Sequence, residues 1–380
     1  MTKGPIADIE THFGKLDDPR IERRKLHKLL DVIVIAICAV ICGADNWVEI
    51  QYFGERKQAW LKQFLSLPNG IPSHDTFGRV FSRLNGEQFQ ACFMEWVQAV
   101  HQVTAGQVVA IDGKQVRRSM DSYRGKAAIY MVSAWAEENR LVLGQRKVNE
   151  KSNEITAIPE LLELLEVAGC IVTIDAIGCQ TQIAETIVRK KAEYVLTVKE
   201  NQPHLYEDLA YFFQMYLQDA NPLQWIQDHQ QTLQKAHGRI ETRQCWVLSA
   251  SPYLESVRGL KDWPQLKSLI CMVSQRKIGD AVEQDTRYFI SSLPPDAKRL
   301  SSAIRGHWGI ENRLHWVLDV AFDEDHNRAR KDFAPQNLTV IRHIALNMLR
   351  HEPTAKGGIQ AKRLQAAWDE DYLLRVLATS

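Results

Sequence analysis

The chain has 380 residues, 45% of them hydrophobic and 24% charged, a globular composition with material for two or three structural units and no signature of disorder or coiled coil. Lys and Arg total 47 against 46 Asp and Glu, so the net charge is +1 and any polyanion binding must come from local patches. Seven scattered cysteines without a CxxC pair argue for reduced thiols, and the most apolar run, residues 32–42, is well short of the ~20 residues a membrane span needs. The expectation is a cytoplasmic chain without a membrane partner.

Residues 1–105 read as helical. Leu26, Leu29, Leu30, Ile33, Ile37 and Ile41 recur at helical spacing, and Trp47, Phe53, Trp60 and Phe64 continue an apolar face. In residues 72–84 a Pro and an N-capping Ser73 precede Arg79 and Arg83, which are four apart. Two readings stand for this segment: a recognition helix, or a solvated surface helix.

Near residue 106 the period changes to that of strands. A β-branched run at 108–111 ends in Asp112-Gly113-Lys114, and runs at 128–135 and 141–148 flank a polar turn like a hairpin. A helix is predicted over 155–167, a strand over 171–175, a helix over 179–192 and a strand over 194–198. Strands joined by a crossover helix pair in parallel, which sets 108–111 beside the strand ending at Asp175. Asp112 and Asp175 then meet at neighbouring carboxyl ends, about 5 Å apart, at the edge where ligands bind in open α/β sheets. Residues 201–299 read as a part-β insertion, with strand-like pieces at 243–249, 269–275 and 286–291. A helix resumes after Ser302 and carries Trp308, Glu311, Asn312, His315, Trp316 and Asp319; Glu311, His315 and Asp319 share one face.

Two strand-end aspartates and a helix carboxylate suit a hard divalent cation such as Mg²⁺, and a pair of ions can drive in-line phosphoryl displacement. By spacing alone, Glu311 and Asp319 both remain candidates for the third carboxylate; taken singly, a strand-end Asp is more often a turn or N-cap residue and Glu311 more often a solvated helix residue, and it is their joint order that favours a metal site. Residues 108–151 hold nine Lys and Arg against five Asp and Glu. Lys114, Arg117, Arg118, Arg124 and Lys126 follow the first aspartate, and Arg189, Lys190, Lys191 and Lys199 follow the second. Such cations supply sequence-independent affinity for phosphates. Nucleotide-binding loops, HExxH and GxSxG are absent from the sequence, so no nucleotide is expected. His237 stands beside Arg239, Glu241 and Arg243, whose alternation fits a cross-strand charge network.

At these residues the chain resembles the DDE transposases of bacterial insertion sequences, most closely the H-repeat-associated proteins of Rhs elements. The stretches that carry the resemblance are Val109-Ala110-Ile111-Asp112-Gly113-Lys114, Thr173-Ile174-Asp175-Ala176 with Cys179-Gln180, and Thr197-Val198-Lys199-Glu200-Asn201-Gln202. Arg305-Gly306-His307-Trp308-Gly309-Ile310-Glu311-Asn312 completes them, running on to His315-Trp316 and Leu318-Asp319-Val320. The resemblance implies an RNase H-like α/β core, with three antiparallel strands followed by parallel ones. It divides the chain into a helical DNA-end-binding domain (1–105), a first core part (106–200), an α+β insertion (201–299), and a second core part with C-terminal helices (300–380). It names Asp112, Asp175 and Glu311 as the catalytic and metal-binding triad for Mg²⁺, with Mn²⁺ as substitute, and two ions. Lys114, Lys199, Asn201, Gln202, His307 and Trp308 would contact DNA, together with Arg117 and Arg118 of the basic run. The partners implied are element ends and target DNA, held by a dimer. Wider relatives carry Tyr, Arg and Lys where this chain has Ile304, His307 and Leu318, so the resemblance does not extend to a hairpin intermediate. The alternatives are a nuclease without strand transfer and an inactive DNA-binding relic.

Overall fold

The computed structural model describes residues 6–100, 104–121, 123, 125–148, 154–236 and 238–378; Arg124 and His237 lie outside the described residues. Six helices come first: α1 (Ala7–Phe13), α2 (Leu29–Ile41), α3 (Trp47–Arg56), α4 (Gln58–Leu61), α5 (His74–Arg83) and α6 (Gly86–Val100). Local chemistry fixes their ends. Asn46 caps α3 by accepting from the Val48 and Glu49 amides, and Ser73 caps α5 by accepting from Thr76. Every side chain of α2 from Val32 to Ile41 is buried, so the apolar run is a core helix. It packs against α12 (Ala334–His351), itself buried over most of its length. The N-terminal helices therefore share a hydrophobic core with the C-terminal part of the chain. In α5, Phe77, Val80 and Phe81 are buried, while Arg79 and Arg83 stay exposed.

Strands β1 (Val108–Gln115), β2 (Tyr130–Ala136) and β3 (Leu141–Val148) form an antiparallel meander. Helix α7 (Glu154–Leu164) leads to β4 (Ile171–Ile174), and α8 (Thr181–Arg189) to β5 (Glu193–Val198). Strand β4 pairs in parallel with both β1 and β5, as the crossover rule requires. After α9 (Pro203–Leu217) come β6 (Asp228–Ala236), β7 (Arg239–Ser249), β8 (Ser268–Ile278) and β9 (Ala281–Ser291). These four continue the same sheet, because β9 pairs antiparallel with β5. Among the described residues the sheet has nine strands in the order β3-β2-β1-β4-β5-β9-β8-β7-β6.

Helix α10 (Ala297–Gly309) is capped by Asp296 and crosses one sheet face, packing on β1, β4, β5, β6 and β7. Its Leu300, Ala303 and Ile304 close a separate apolar cluster with Val108, Ile171, Val195, Ile270 and Phe289. A π-helical turn (Ile310–His315) and α11 (Trp316–Phe322) extend its line until Asp323, at φ 48°, ends it in the left-handed region. Helices α13 (Ile359–Trp368) and α14 (Glu370–Ala378) finish the chain.

Candidate active site

Strand alternation builds the site. Side chains two apart on a strand share a face, so the face that presents Val108, Ile171 and Val195 to α10 goes on to present Asp112, Thr173 with Asp175, and Thr197 with Lys199. The last ladder pair between β1 and β4 is Ile111 with Ile174, so Asp112 and Asp175 occupy the next step on each chain. There the two strands part. Strand β1 runs on to Gln115 alongside β2, pairing Asp112 with Ser133, where sequence reading ended it at residue 111; β4 stops, and Asp175 caps a short turn by accepting from the Ile177 amide at 3.2 Å. The opening left between them is a cavity of about 190 Å³. Asp112, Asp175 and Glu311 line it together with Lys199, His307, Trp308, Arg287 and Thr173.

Glu311 arrives from above on the π-helical turn. That geometry widens the helix by one residue per turn and sets Glu311 and His315 on the side facing β1. His315 Nδ1 lies 3.6 Å from Asp112 Oδ2 and 3.6 Å from Glu311 Oε2. Gly309 lies against the side chain of Glu137, the residue after β2; Glu137 Oε2 accepts from Trp135 Nε1, and its Oε1 pairs with Arg313 on the same turn at 2.8 Å.

The electrostatics are those of crowded acids. Burial pushes the Asp112 carboxyl well above the usual carboxylate range, and the neighbouring charges of Asp175 and Glu311 push it further. The His315 imidazole holds Glu311 well below that range. Among the described residues, Asp112, Glu311 and His315 each offer a donor atom within 4.8 Å of the others; Asp175 lines the same cavity outside that set.

The other site residues named from sequence separate into two groups. Lys199 and Trp308 are exposed at the cavity, while Arg117 and Arg118 are exposed on the turn after β1. Lys114 is tied up: its ammonium lies 2.6 Å from Asp319, 3.0 Å from Glu324 and 3.4 Å from Asp325. Asp319 is thereby directed to Lys114 and lies outside the cavity lining, which Glu311 joins. Asn201 and Gln202 donate to the Ala176 and Cys179 carbonyls, bracing the turn after Asp175. His307 is mostly buried, with its Nδ1 at 3.1 Å from Thr173 Oγ1, and burial lowers its pKa.

Sequence reasoning missed Arg287. It lies on β9 one step past the pair Val198 with Tyr288, so it stands beside Lys199 at the cavity rim, and its guanidinium covers the Trp308 ring at 4.7 Å. Its signal was visible only as one basic residue in an alternating strand. Its place at the site depends on β9 joining β5, which no local pattern announces.

A mixed sheet with this order, its first three strands antiparallel and an acidic cluster where β1 and β4 diverge, defines an RNase H-like α/β protein. Comparison with known families makes the assignment specific. Residues 104–348 match the family described as Transposase DDE domain, and residues 10–97 match the region associated with it. The chain belongs to this DDE transposase family. It is 42% identical to "Putative transposase YncI" of Escherichia coli O157:H7, over 98% of this chain and 95% of that one. It is 40% identical to "H repeat-associated putative transposase YhhI" of Escherichia coli K12, over 99% of both. A solved structure titled as a piggyBac transposase synaptic complex with hairpin DNA is similar at TM-score 0.43 and 10% identity, over 96% of this chain and 79% of that one, a likeness too distant to carry an argument. No helix among the described residues is long and apolar enough to cross a membrane.

Proposed function

We propose that the protein cuts DNA at the ends of an insertion element and joins the freed 3′-hydroxyl to target DNA, with Asp112, Asp175 and Glu311 holding Mg²⁺, or Mn²⁺ as its substitute, as a pair of ions. The observation that carries this reading is the convergence of three carboxylates on one cavity, where burial, and then the charges of Asp175 and Glu311, push Asp112 toward its neutral form. Oxygen donors at that density fit a hard divalent cation. When bound, such ions neutralise charge on the scissile phosphate and acidify the attacking hydroxyl.

The chain's own residues supply the rest. Pairing of Asp112 with Ser133 on β2 and the Asp175 cap on the turn after β4 fix the two strand-end acids in place before any ion binds. Lys199 and Arg287 stand on the opposite rim, where cations attract a phosphodiester without reading sequence. The exposed Trp308 ring offers a stacking surface for a base. Water attacks phosphorus and the 3′-oxygen leaves; that 3′-hydroxyl then attacks a target phosphate and displaces the target's 3′-oxygen. Joining two ends in one event calls for two copies on DNA.

Plasmid nicking in Mg²⁺ or Mn²⁺ tests the reading. Asp112→Asn, Asp175→Asn and Glu311→Gln are expected to abolish nicking while the folded proteins keep their DNA affinity, and Asp319→Asn is expected to retain it. Nicking without joined products would reduce the activity to that of a nuclease. Folded wild-type protein that neither nicks nor joins its own element ends would overturn the proposal.

A further inference from the structure

We infer that His315 is a metal ligand of this site, its Nδ1 completing a mixed oxygen–nitrogen donor set with Asp112 and Glu311. The inference rests on the reading of the acidic cluster as a metal site and adds a donor that the carboxylate triad does not contain.

Three observations carry it. First, His315 is 95% buried, at 5% exposure, and is aimed at the carboxylates. A buried imidazole normally satisfies both nitrogens with hydrogen bonds. Here Nε2 has no partner among the described residues, and Nδ1 stands 3.6 Å from both carboxylate oxygens, longer than a good hydrogen bond.

Second, the spacing matches shared coordination. Donors around an octahedral ion of this size are about 3.0 Å apart when adjacent and about 4.2 Å apart when opposite. The 3.6 Å separations fall between these limits, and all three donor atoms lie within 4.8 Å of one another. Side-chain movements of about half an ångström would bring each 3.6 Å separation to an octahedral spacing.

Third, the backbone is shaped for it. Glu311 and His315 bracket a π-helical turn, a conformation that an ordinary helix adopts only at a cost and that often marks a functional position. Gly309, at the entry to that turn, lies against the Glu137 carboxylate, which in turn pairs with Arg313 within the turn. The turn is thus clamped to β2, with His315 pointing inward.

A nitrogen donor has a chemical consequence. Imidazole binds Mn²⁺ and later first-row metals in preference to Mg²⁺, which demands oxygen. The site should therefore hold Mn²⁺ more tightly than Mg²⁺, by a margin that depends on His315.

Electron spin-echo spectroscopy of the full-length protein loaded with Mn²⁺ tests this. The wild type is expected to show ¹⁴N modulation from a directly bound imidazole, on an ion that Asp112→Asn fails to hold. His315→Gln is expected to lose the modulation and at least about tenfold in Mn²⁺ affinity, with a smaller loss for Mg²⁺. Because His307 lines the same cavity, modulation that persists in His307→Gln assigns the donor to His315 even if His315→Gln does not fold, and modulation lost in a folded His307→Gln would overturn the assignment. Mn²⁺ bound in an Asp112-dependent way without ¹⁴N modulation would overturn the role of His315 and leave the acidic site standing. A folded wild type that binds no Mn²⁺ would overturn both.

Discussion

The ammonium of Lys114 lies 2.6 Å from Asp319 Oδ1, and this pair fastens β1 to α11, the continuation of the helix that carries Glu311. Burial disfavours the charge on Lys114, but Glu324 and Asp319 outweigh it and raise its pKa. Glu324 is almost fully buried and also meets Arg342 at 3.4 Å and the Thr339 hydroxyl at 3.2 Å. Removing one member of a buried network leaves uncompensated charge. Lys114→Met is therefore expected to lower stability by about 3 kcal/mol in urea denaturation, with Lys114→Arg losing less. The variant should leave the salt dependence of DNA binding unchanged, since Lys114 does not reach solvent as a phosphate contact would.

Lys199 and Arg287 should behave in the opposite way. Both line the cavity at the sheet edge, and each neutralised phosphate contributes about one unit to the slope of log affinity against log salt. Lys199→Gln and Arg287→Gln are each expected to reduce that slope by about one, measured by fluorescence anisotropy on a duplex, with stability unchanged. An unaltered slope would place the DNA path elsewhere.

The acidic cluster is a site of stored repulsion. Asp112 is destabilised by burial and by Asp175 and Glu311. Neutralising one acid should relieve this, so Asp112→Asn is expected to raise the melting temperature in chelator by a few degrees. Wild-type protein should instead gain stability on addition of Mn²⁺, about 2.7 kcal/mol at a hundredfold excess over the dissociation constant, and Asp112→Asn should gain little. Differential scanning fluorimetry with and without chelator reads both effects.

Acid sensitivity has a separate source. His343 is fully buried on α12, and neither ring nitrogen has a hydrogen-bond partner among the described residues. Burial lowers its pKa to about 3, against the opposing pull of Glu324. The unfolded chain binds a proton near pH 6.5 and the fold does not, so stability present above pH 6.5 is lost as pH falls toward 3, by up to about 1.4 kcal/mol per unit. Glu324, held at about 2 by Lys114 and Arg342 despite its burial, adds a loss of the same sign below about pH 4.5. His343→Leu is expected to flatten urea stability between pH 7 and 5 without weakening the protein at pH 7.5.

The central part of the fold could be read from sequence because its signals are local. The β-branched runs before Asp112 and Asp175, and the helix between them, fixed parallel pairing and set both acids one step beyond the last ladder pair, on one cavity. The resemblance in residues 305–320 supplied Glu311. What remained hidden depends on long-range contact. That β9 docks on β5, bringing Arg287 to the rim, follows from pairing between segments far apart in the chain. The occupation of Lys114 by three carboxylates was equally invisible, because Glu324 and Asp325 sit in a short turn after α11 with no pattern pointing at β1. A basic residue beside an acidic one reads as a phosphate contact until its neighbours in space are known.

The place of Glu311 after β9 has a bearing on how the protein is made. Strands β1 to β5 emerge from the ribosome first, yet the sheet cannot be completed until both later hairpins have formed, and the final carboxylate follows only then. A nascent or truncated chain that ends before α10 carries two of the three acids and none of the helix that brings the third. Under the proposed function, a fragment that ends before α10 would therefore lack the third carboxylate and could not cut, so strand order alone would keep such fragments from acting on DNA.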